Sequence, residues 1–283
     1  MHARIATILL LLGGCVAPDD ADRRIVDDGG ARKDVSAPPA TACRADWQVL
    51  APGLRHRSLC DEGEAALHLV EIDPDLWTLD AARVAPTTAP ALARARRAPF
   101  AINANFFGTD GKTLGAIVSA GEIVQRAHPV SWESVFYTTV EGEAGIVLPD
   151  AWPGIEKTAA MAVQAGPRIV VGGRRTGATR ATPSARSGVC LARDRVIFFA
   201  TAGRALHDVQ QIAAFAAASE DAGGLGCRDA MLFDGGPSAQ MHLEGAGISI
   251  AGDSVPAFVI ASPREIAGSS GNAGTGDPSP APR

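Results

Sequence analysis

Asp234 ends an apolar run and is followed at once by two glycines, in AMLFDGGPSAQMHL (Ala230–Leu243). Residues without a β-carbon let the backbone turn sharply and let another molecule approach closely. A carboxylate at such a break serves as a catalyst, a ligand or a turn residue. AINANFF delivers Asn103 and Asn105 at alternate positions, so the period of a strand puts both carboxamides on one side. Carboxamides offer directed donors and acceptors to sugar hydroxyls or phosphate oxygens, and turn asparagines share the same pattern. In VQAGPRIV the pair Gly166-Pro167 interrupts an apolar run and exposes backbone groups. SARSGVC sets Arg186 just ahead of an apolar strand, where a guanidinium is shaped for bidentate phosphate binding. An isolated arginine there would be a surface charge.

Other motifs fail on their own terms. GTDGKT (Gly108–Thr113) echoes a phosphate-binding loop, but Phe106 occupies the position of the first required glycine. GGPSAQ echoes a nucleophile elbow, but Gln240 stands where that turn needs glycine. Ser238 with His207 or His242 and Asp208 is the remaining arrangement for a serine esterase. No HExxH, dinucleotide fingerprint or CxxC pair is present, and the histidines are scattered. No cofactor is firmly implied, and a divalent cation stays open. Asp234 and Asn105 offer oxygen ligands to a hard divalent cation.

The elements that must position these residues read mainly as strands. WQVLAPGLRHRSL, AALHLVEID and LWTLDAARV alternate or run apolar between Gly, Pro and Asp. PFAINANFF reads as a short buried strand, followed by strands in GAIVSAGEIV, ESVFYTT, AGIVLP and MAVQAGPRIVV. SGVCLARDRVIFFATA reads as a hairpin turning near Arg193-Asp194. TTAPALARARRA (Thr87–Ala98) predicts a helix with Pro90 in its first turn. DVQQIAAFAAASEDAG predicts a second, capped by Asp208 and ended by glycines. The expected fold class is α/β in the mixed α+β sense: strand-rich sheets with a few packed helices in a single domain.

With 283 residues, 46% hydrophobic, the chain has material for a large core. A net charge of −5 and the lack of a long Lys/Arg cluster argue against a nucleic-acid partner. MHARIATILLLLGGC has the basic start, apolar stretch and small residues of a secretion signal. Leu12-Gly13-Gly14-Cys15 resembles a bacterial lipobox, which implies cleavage before Cys15 and a lipid anchor on it. Val16 next to it resembles an outer-membrane address, with the domain facing the periplasm. Beyond the N-terminus no stretch is apolar for long enough to span a bilayer. The expected organisation is a signal peptide at 1–14, a flexible tether at 15–42, a folded domain at 43–267 and a disordered tail at 268–283. Cys43, Cys60, Cys190 and Cys227 remain, an even number suited to an oxidising compartment. Of their three pairings, Cys43–Cys60 and Cys190–Cys227 are preferred over the others and over free thiols.

Read together, NANFFGTDGKTLGAIVSAGEIV, VQAGPRIVVGGR, SARSGVC and LFDGGPSAQ resemble the phosphodiester glycosidase family, across about Trp47–Ile260. Many bacterial members are described as exported or exopolysaccharide-related. The resemblance implies a hydrolase acting on a sugar-1-phosphodiester of an envelope or extracellular glycan. It implies a site lined by Asn103, Arg186, Asp234, Gly235, Gly236 and Ser238. In that scheme Asp234 acts on the oxocarbenium-like centre as nucleophile or as base for water. Arg186 neutralises the departing phosphate; Asn103, Asn105 and Ser238 orient the substrate, with Gly166 offering backbone. Gly235 and Gly236 leave room for the sugar, and Asp110 is a reserve second carboxylate. The sequence departs from the family pattern at Pro237, where a third glycine is common, and at Gln240, where Ser or Thr is common. The rival readings are a non-catalytic glycan-binding envelope lipoprotein, a serine esterase and a purely structural lipoprotein.

Overall fold

Short apolar runs punctuated by Gly, Pro and Asp fold into eighteen strands and two α-helices among the described residues. The computed structural model describes residues 43, 45–61, 64–178, 182–202 and 207–264. The expected signal peptide, Cys15 anchor, tether and tail lie outside them.

Three sheets result. The large one runs β1 (Gln48–Ala51), β2 (Leu54–Asp61), β3 (Glu64–Ile72), β14 (Arg195–Thr201), β13 (Ser187–Ala192), β15 (Asp229–Leu232), β11 (Arg168–Val171) and β12 (Arg174–Arg175). A second runs β7 (Glu122–Gln125), β6 (Ile117–Ser119), β10 (Ala159–Ala165), β8 (Ser134–Thr139) and β9 (Ala144–Val147). The third runs β17 (Ile248–Ile250), β16 (Met241–Leu243), β5 (Phe100–Asn103), β18 (Val255–Pro263) and β4 (Trp77–Thr87). Their ladders are antiparallel.

The expected strand-rich sheets with a few packed helices are present, and the α/β label is loose, because the described fold is mainly β. Both expected helices exist, as α1 (Ala89–Arg96) and α2 (Val209–Ala217), but they cover sheets and link no parallel strands. α2 is also shorter than expected. Its backbone leaves the helix at Ala218, and Glu220–Ala222 forms a separate 3-10 turn ahead of the glycines.

Period-two alternation on β14 shows how the layers hold together. Phe198 faces inward, with ring centroids 5.1 Å from Phe100 of the third sheet and 5.8 Å from Phe136 of the second. One core thus joins all three sheets. Phe199, the next residue, turns to the opposite face and packs with Ile212 and Ala216 of α2. On the far side of the third sheet, Leu92 and Ala93 of α1 cover Ala101 and Phe258.

Local chemistry fixes the ends of these elements. Asp208 and Gln211 make a reciprocal capping box at the start of α2. At α1 the Thr88 side chain caps nothing; instead the Ala89 N–H donates to Gln240 Oε1 at 2.7 Å. The hairpin between β13 and β14 turns at Arg193-Asp194 as expected, with Arg193 at φ 55. WQVLAPGLRHRSL, by contrast, is two strands that reverse at Pro52-Gly53. Disulfides join Cys43 to Cys60 and Cys190 to Cys227, with Cα separations of 5.7 and 5.6 Å. This is the preferred pairing, and it fits an oxidising compartment.

A buried histidine pair joins β2 and β3 of the large sheet. His68 Nδ1 lies 3.2 Å from His56 Nε2 and 3.3 Å from Ser58 Oγ. Burial lowers the His68 pKa from 6.5, because the interior disfavours the charged ring. The unfolded chain therefore binds the proton first, and stability present above the ordinary histidine value is lost as pH falls through the lowered one. Urea midpoints measured between about pH 7 and 5 should fall, and His68→Gln should flatten that slope. An unchanged slope would remove His68 as the cause.

Candidate active site

The end of β15 enters a 470 Å³ cleft that holds Asp234 and Arg186. Phe233, Asp234, Gly235 and Gly236 form one side of its lining, and Ser184 and Arg186 come from the approach to β13. Phe106, Gly166 and Pro167 line it as well, with Thr182, Pro183 and Leu232. Gly166-Pro167 lies where the chain leaves β10 in the second sheet for β11 in the large one, joined by a cis peptide. The cleft therefore opens where two sheets exchange the chain.

Backbone hydrogen bonds fasten the Asp-Gly-Gly turn. Asp234 N–H donates to Ala104 O at 2.9 Å, and Gly236 N–H donates to Ala185 O at 2.8 Å. Gly236 has φ +61, which favours glycine, and a β-carbon on Gly235 would come within 3.1 Å of Ala185 O. The same hypothetical carbon would lie 3.5 Å from Arg186 Nη1, so the turn runs directly against the guanidinium.

Arg186 is held in place. It is 8% exposed; its Nε donates to His207 O at 3.1 Å and Nη2 to Thr182 O at 3.0 Å. A cation fixed by carbonyls needs little reorganisation to meet an incoming anion. Asp234 is half-buried and shares the cleft lining. The site thus combines an anchored positive charge, a carboxylate and a wall of small residues.

The asparagines sit behind this surface. Asn103 is 1% exposed: its Nδ2 donates to Asp234 O at 2.6 Å, and its Oδ1 accepts from Ser187 Oγ at 2.9 Å and from Gln240 N–H at 3.0 Å. It clamps the main chain of Asp234. Asn105 Nδ2 donates to the carbonyls of Leu114 at 2.9 Å and Ala116 at 3.0 Å, which closes the loop carrying Phe106. Among the described residues, Asn105 Oδ1 is buried without a hydrogen-bond partner.

Ser238 is buried in the 3-10 turn Gly236–Ser238 and does not line the cleft. Asp208, its possible triad partner, is occupied in capping α2. Asp110 pairs with Lys112 at 3.0 Å in an exposed turn and is likewise outside the lining. Among the described residues, no group of three or more His, Cys, Asp or Glu side chains is arranged to hold a metal ion.

The departure at Gln240 has a structural use. Its Nε2 donates to Asp253 O at 2.8 Å while its Oε1 caps α1 and its backbone N–H meets Asn103. A Ser or Thr is too short to bridge these partners. Ser184 and Phe106 were not singled out from the sequence as site residues. Ser184 and Arg186 stand at alternate positions, and that period alone could have put Ser184 beside the arginine.

The sequence profile of the phosphodiester glycosidase family matches residues 96–266, which contain every residue named in this cleft. The chain belongs to the phosphodiester glycosidase family. Its fold resembles zebrafish N-acetylglucosamine-1-phosphodiester alpha-N-acetylglucosaminidase, whose catalytic domain was solved auto-inhibited by its pro-peptide. That likeness has a TM-score of 0.58 at 17% identity and covers 78% of this chain and 86% of the other. A hypothetical protein from Synechocystis matches with a TM-score of 0.54 and 17% identity over 81% of this chain and 64% of its own. At such identities the likeness shows a shared fold. No curated protein sequence matches the chain.

Proposed function

We propose that this phosphodiester glycosidase hydrolyses the bond between a sugar C1 and a phosphodiester in an envelope or extracellular glycan. The observation carrying this reading is that Asp234 and an anchored Arg186 line one cleft. An ordinary glycoside needs one carboxyl group to protonate the leaving oxygen and another to attack or activate water. A phosphate monoester is already stable as an anion, so the first task lapses. One carboxylate and one cation then suffice. Asp234 stabilises the developing positive charge at C1, as nucleophile or as base for water, and Arg186 offsets the charge on the departing phosphate. Gly235 and Gly236 let the sugar ring approach, and Asn103 keeps Asp234 aimed.

The test is release of reducing sugar from a synthetic N-acetylglucosamine-1-phosphodiester. Arg186→Lys keeps the charge but loses the planar fork and the carbonyl anchors, so kcat/KM should fall about a hundredfold on that substrate. Neutral aryl glycosides should lose far less. An equal loss on both substrate classes would count against a phosphate at Arg186. The reading places the positive charge in the protein, so dialysis against EDTA should leave the rate within about twofold. Loss of activity, restored by a divalent cation, would instead support a cation held by Asp234 and Asn105 oxygens.

The disulfides support an oxidising compartment for this activity. A lipid anchor on Cys15, holding the domain at the outer membrane and facing the periplasm, would put the cleft beside envelope glycans. Metabolic labelling with a palmitate analogue, lost in Cys15→Ala, would test the anchor.

A further inference from the structure

Glu133 is a carboxylic acid only 4% exposed, and the reaction proposed above does not use it. An ionised carboxylate is costly to bury, so its partner matters. That partner is Gln164, wholly buried, whose Nε2 donates to Glu133 Oε2 at 2.7 Å. The carboxamide makes its other bonds to two loops. Nε2 also donates to His128 O at 2.6 Å, and Oε1 accepts from His128 N–H at 2.9 Å and from Ala116 N–H at 2.8 Å. Gly115, at φ +80, makes room for this hub, since a β-carbon there would lie 2.8 Å from Gln164 Cβ.

Two arms of the hub lead to the cleft lining. Ala116 O and Leu114 O accept from the Asn105 carboxamide, and Leu114 N–H donates to Phe106 O at 2.8 Å, which fixes the segment carrying Phe106. Gln164 itself stands two residues before Gly166. The main chain of Glu133 packs on that glycine, where a β-carbon would come 3.0 Å from Glu133 Cα. Phe106 and Gly166 both line the cleft that holds Asp234 and Arg186. We propose that Glu133 and Gln164 are positioning residues, which hold the Phe106 and Gly166 part of the cleft wall in place against the reacting diester. This rests on the reaction proposed above. Both act through the wall, and rate is sensitive to small shifts in how a substrate is held. An ionised carboxylate accepts a stronger bond from Gln164, so the wall is firmest while Glu133 carries its charge. Burial raises the Glu133 pKa from 4.5, against the opposing effects of the Gln164 bond and the charge of His128. The charged acceptor is therefore lost as pH falls through that raised value.

Gln164→Glu should reverse the sign of this pH dependence. It sets one carboxyl group against another, and the two share a proton in acid but repel when both are ionised. The substrate is the methyl ester of N-acetylglucosamine-1-phosphate, given to the full chain. For Gln164→Glu, kcat/KM per folded molecule should be about a hundredfold below wild type at about pH 8 and recover about tenfold at about pH 5, whereas wild type should not gain in acid. Adding Glu133→Gln puts a donor back between the two groups. The double variant should regain about tenfold at about pH 8 and lose the recovery in acid. Circular dichroism of the same samples gives the folded fraction at each pH. Losses confined to that fraction would show that the hub serves only the fold, overturning the positioning role and leaving the reaction standing. An acid recovery that persists in the double variant would overturn it as well. Calorimetric titration of the same ester into each variant separates the two proposals. Binding without turnover by wild type, with affinities that follow the pattern above, would uphold the wall and sink the reaction. Binding without turnover, with affinities indifferent to the substitutions, would overturn both, as would absence of both binding and turnover.

Discussion

Asp234→Asn should hydrolyse an N-acetylglucosamine-1-phosphodiester about a thousandfold more slowly than wild type while remaining folded. The substitution keeps size and shape but removes the negative charge. A neutral carboxamide neither balances positive charge at C1 nor attacks it, and it is a poor base for water. The main chain at this position is held independently of the side chain, through Ala104 O and the Asn103 carboxamide. Stability should therefore stay within about 1 kcal/mol. Initial rates and a denaturation curve on the same preparation check both halves. A rate near that of wild type would remove Asp234 from the chemistry.

Asn103→Ala should damage stability and turnover together. The carboxamide holds Asp234 O, Ser187 Oγ and Gln240 N–H at a site almost wholly closed to water. Truncation takes from the Gln240 amide its Asn103 acceptor and from Asp234 O its 2.6 Å donor, leaving the longer bond from Ser187 Oγ at 3.2 Å. Buried groups stripped of partners should cost about 3 kcal/mol, read from urea unfolding. Loosening of the Asp234 turn should lower kcat about a hundredfold, since small misplacements of a reacting group weigh heavily on rate. A normal kcat in the folded fraction would show that Asn103 serves only the fold.

These two residues mark how far the sequence could be read. Asp234 was legible because its signal is local: a strand ends and glycines follow, and the structure puts that turn in the cleft lining. Arg186, ahead of its strand, was legible for the same reason. Asn103 was visible as a residue, but not its direction. Alternation groups side chains onto one face of a strand without saying whether that face meets a ligand or a buried turn 131 residues away. Capping made α2 readable at its start, while the end was set by an extended Ala218 that composition does not mark. Sheet membership was the largest gap. MAVQAGPRIVV looks like one interrupted strand, yet β10 and β11 belong to different sheets, and the break between them lines the cleft. The strand-rich sheets and the two helices were legible, but the α/β label was loose because the share of helix in the fold is small.

The decisive measurement is the fate of solvent oxygen during hydrolysis in water enriched with heavy oxygen. Cleavage at the sugar carbon by Asp234, with Arg186 holding the departing phosphate, predicts a phosphate monoester product free of the label and a labelled sugar hydroxyl. Label in the phosphate product would mean attack at phosphorus, and would contradict the roles given to both residues.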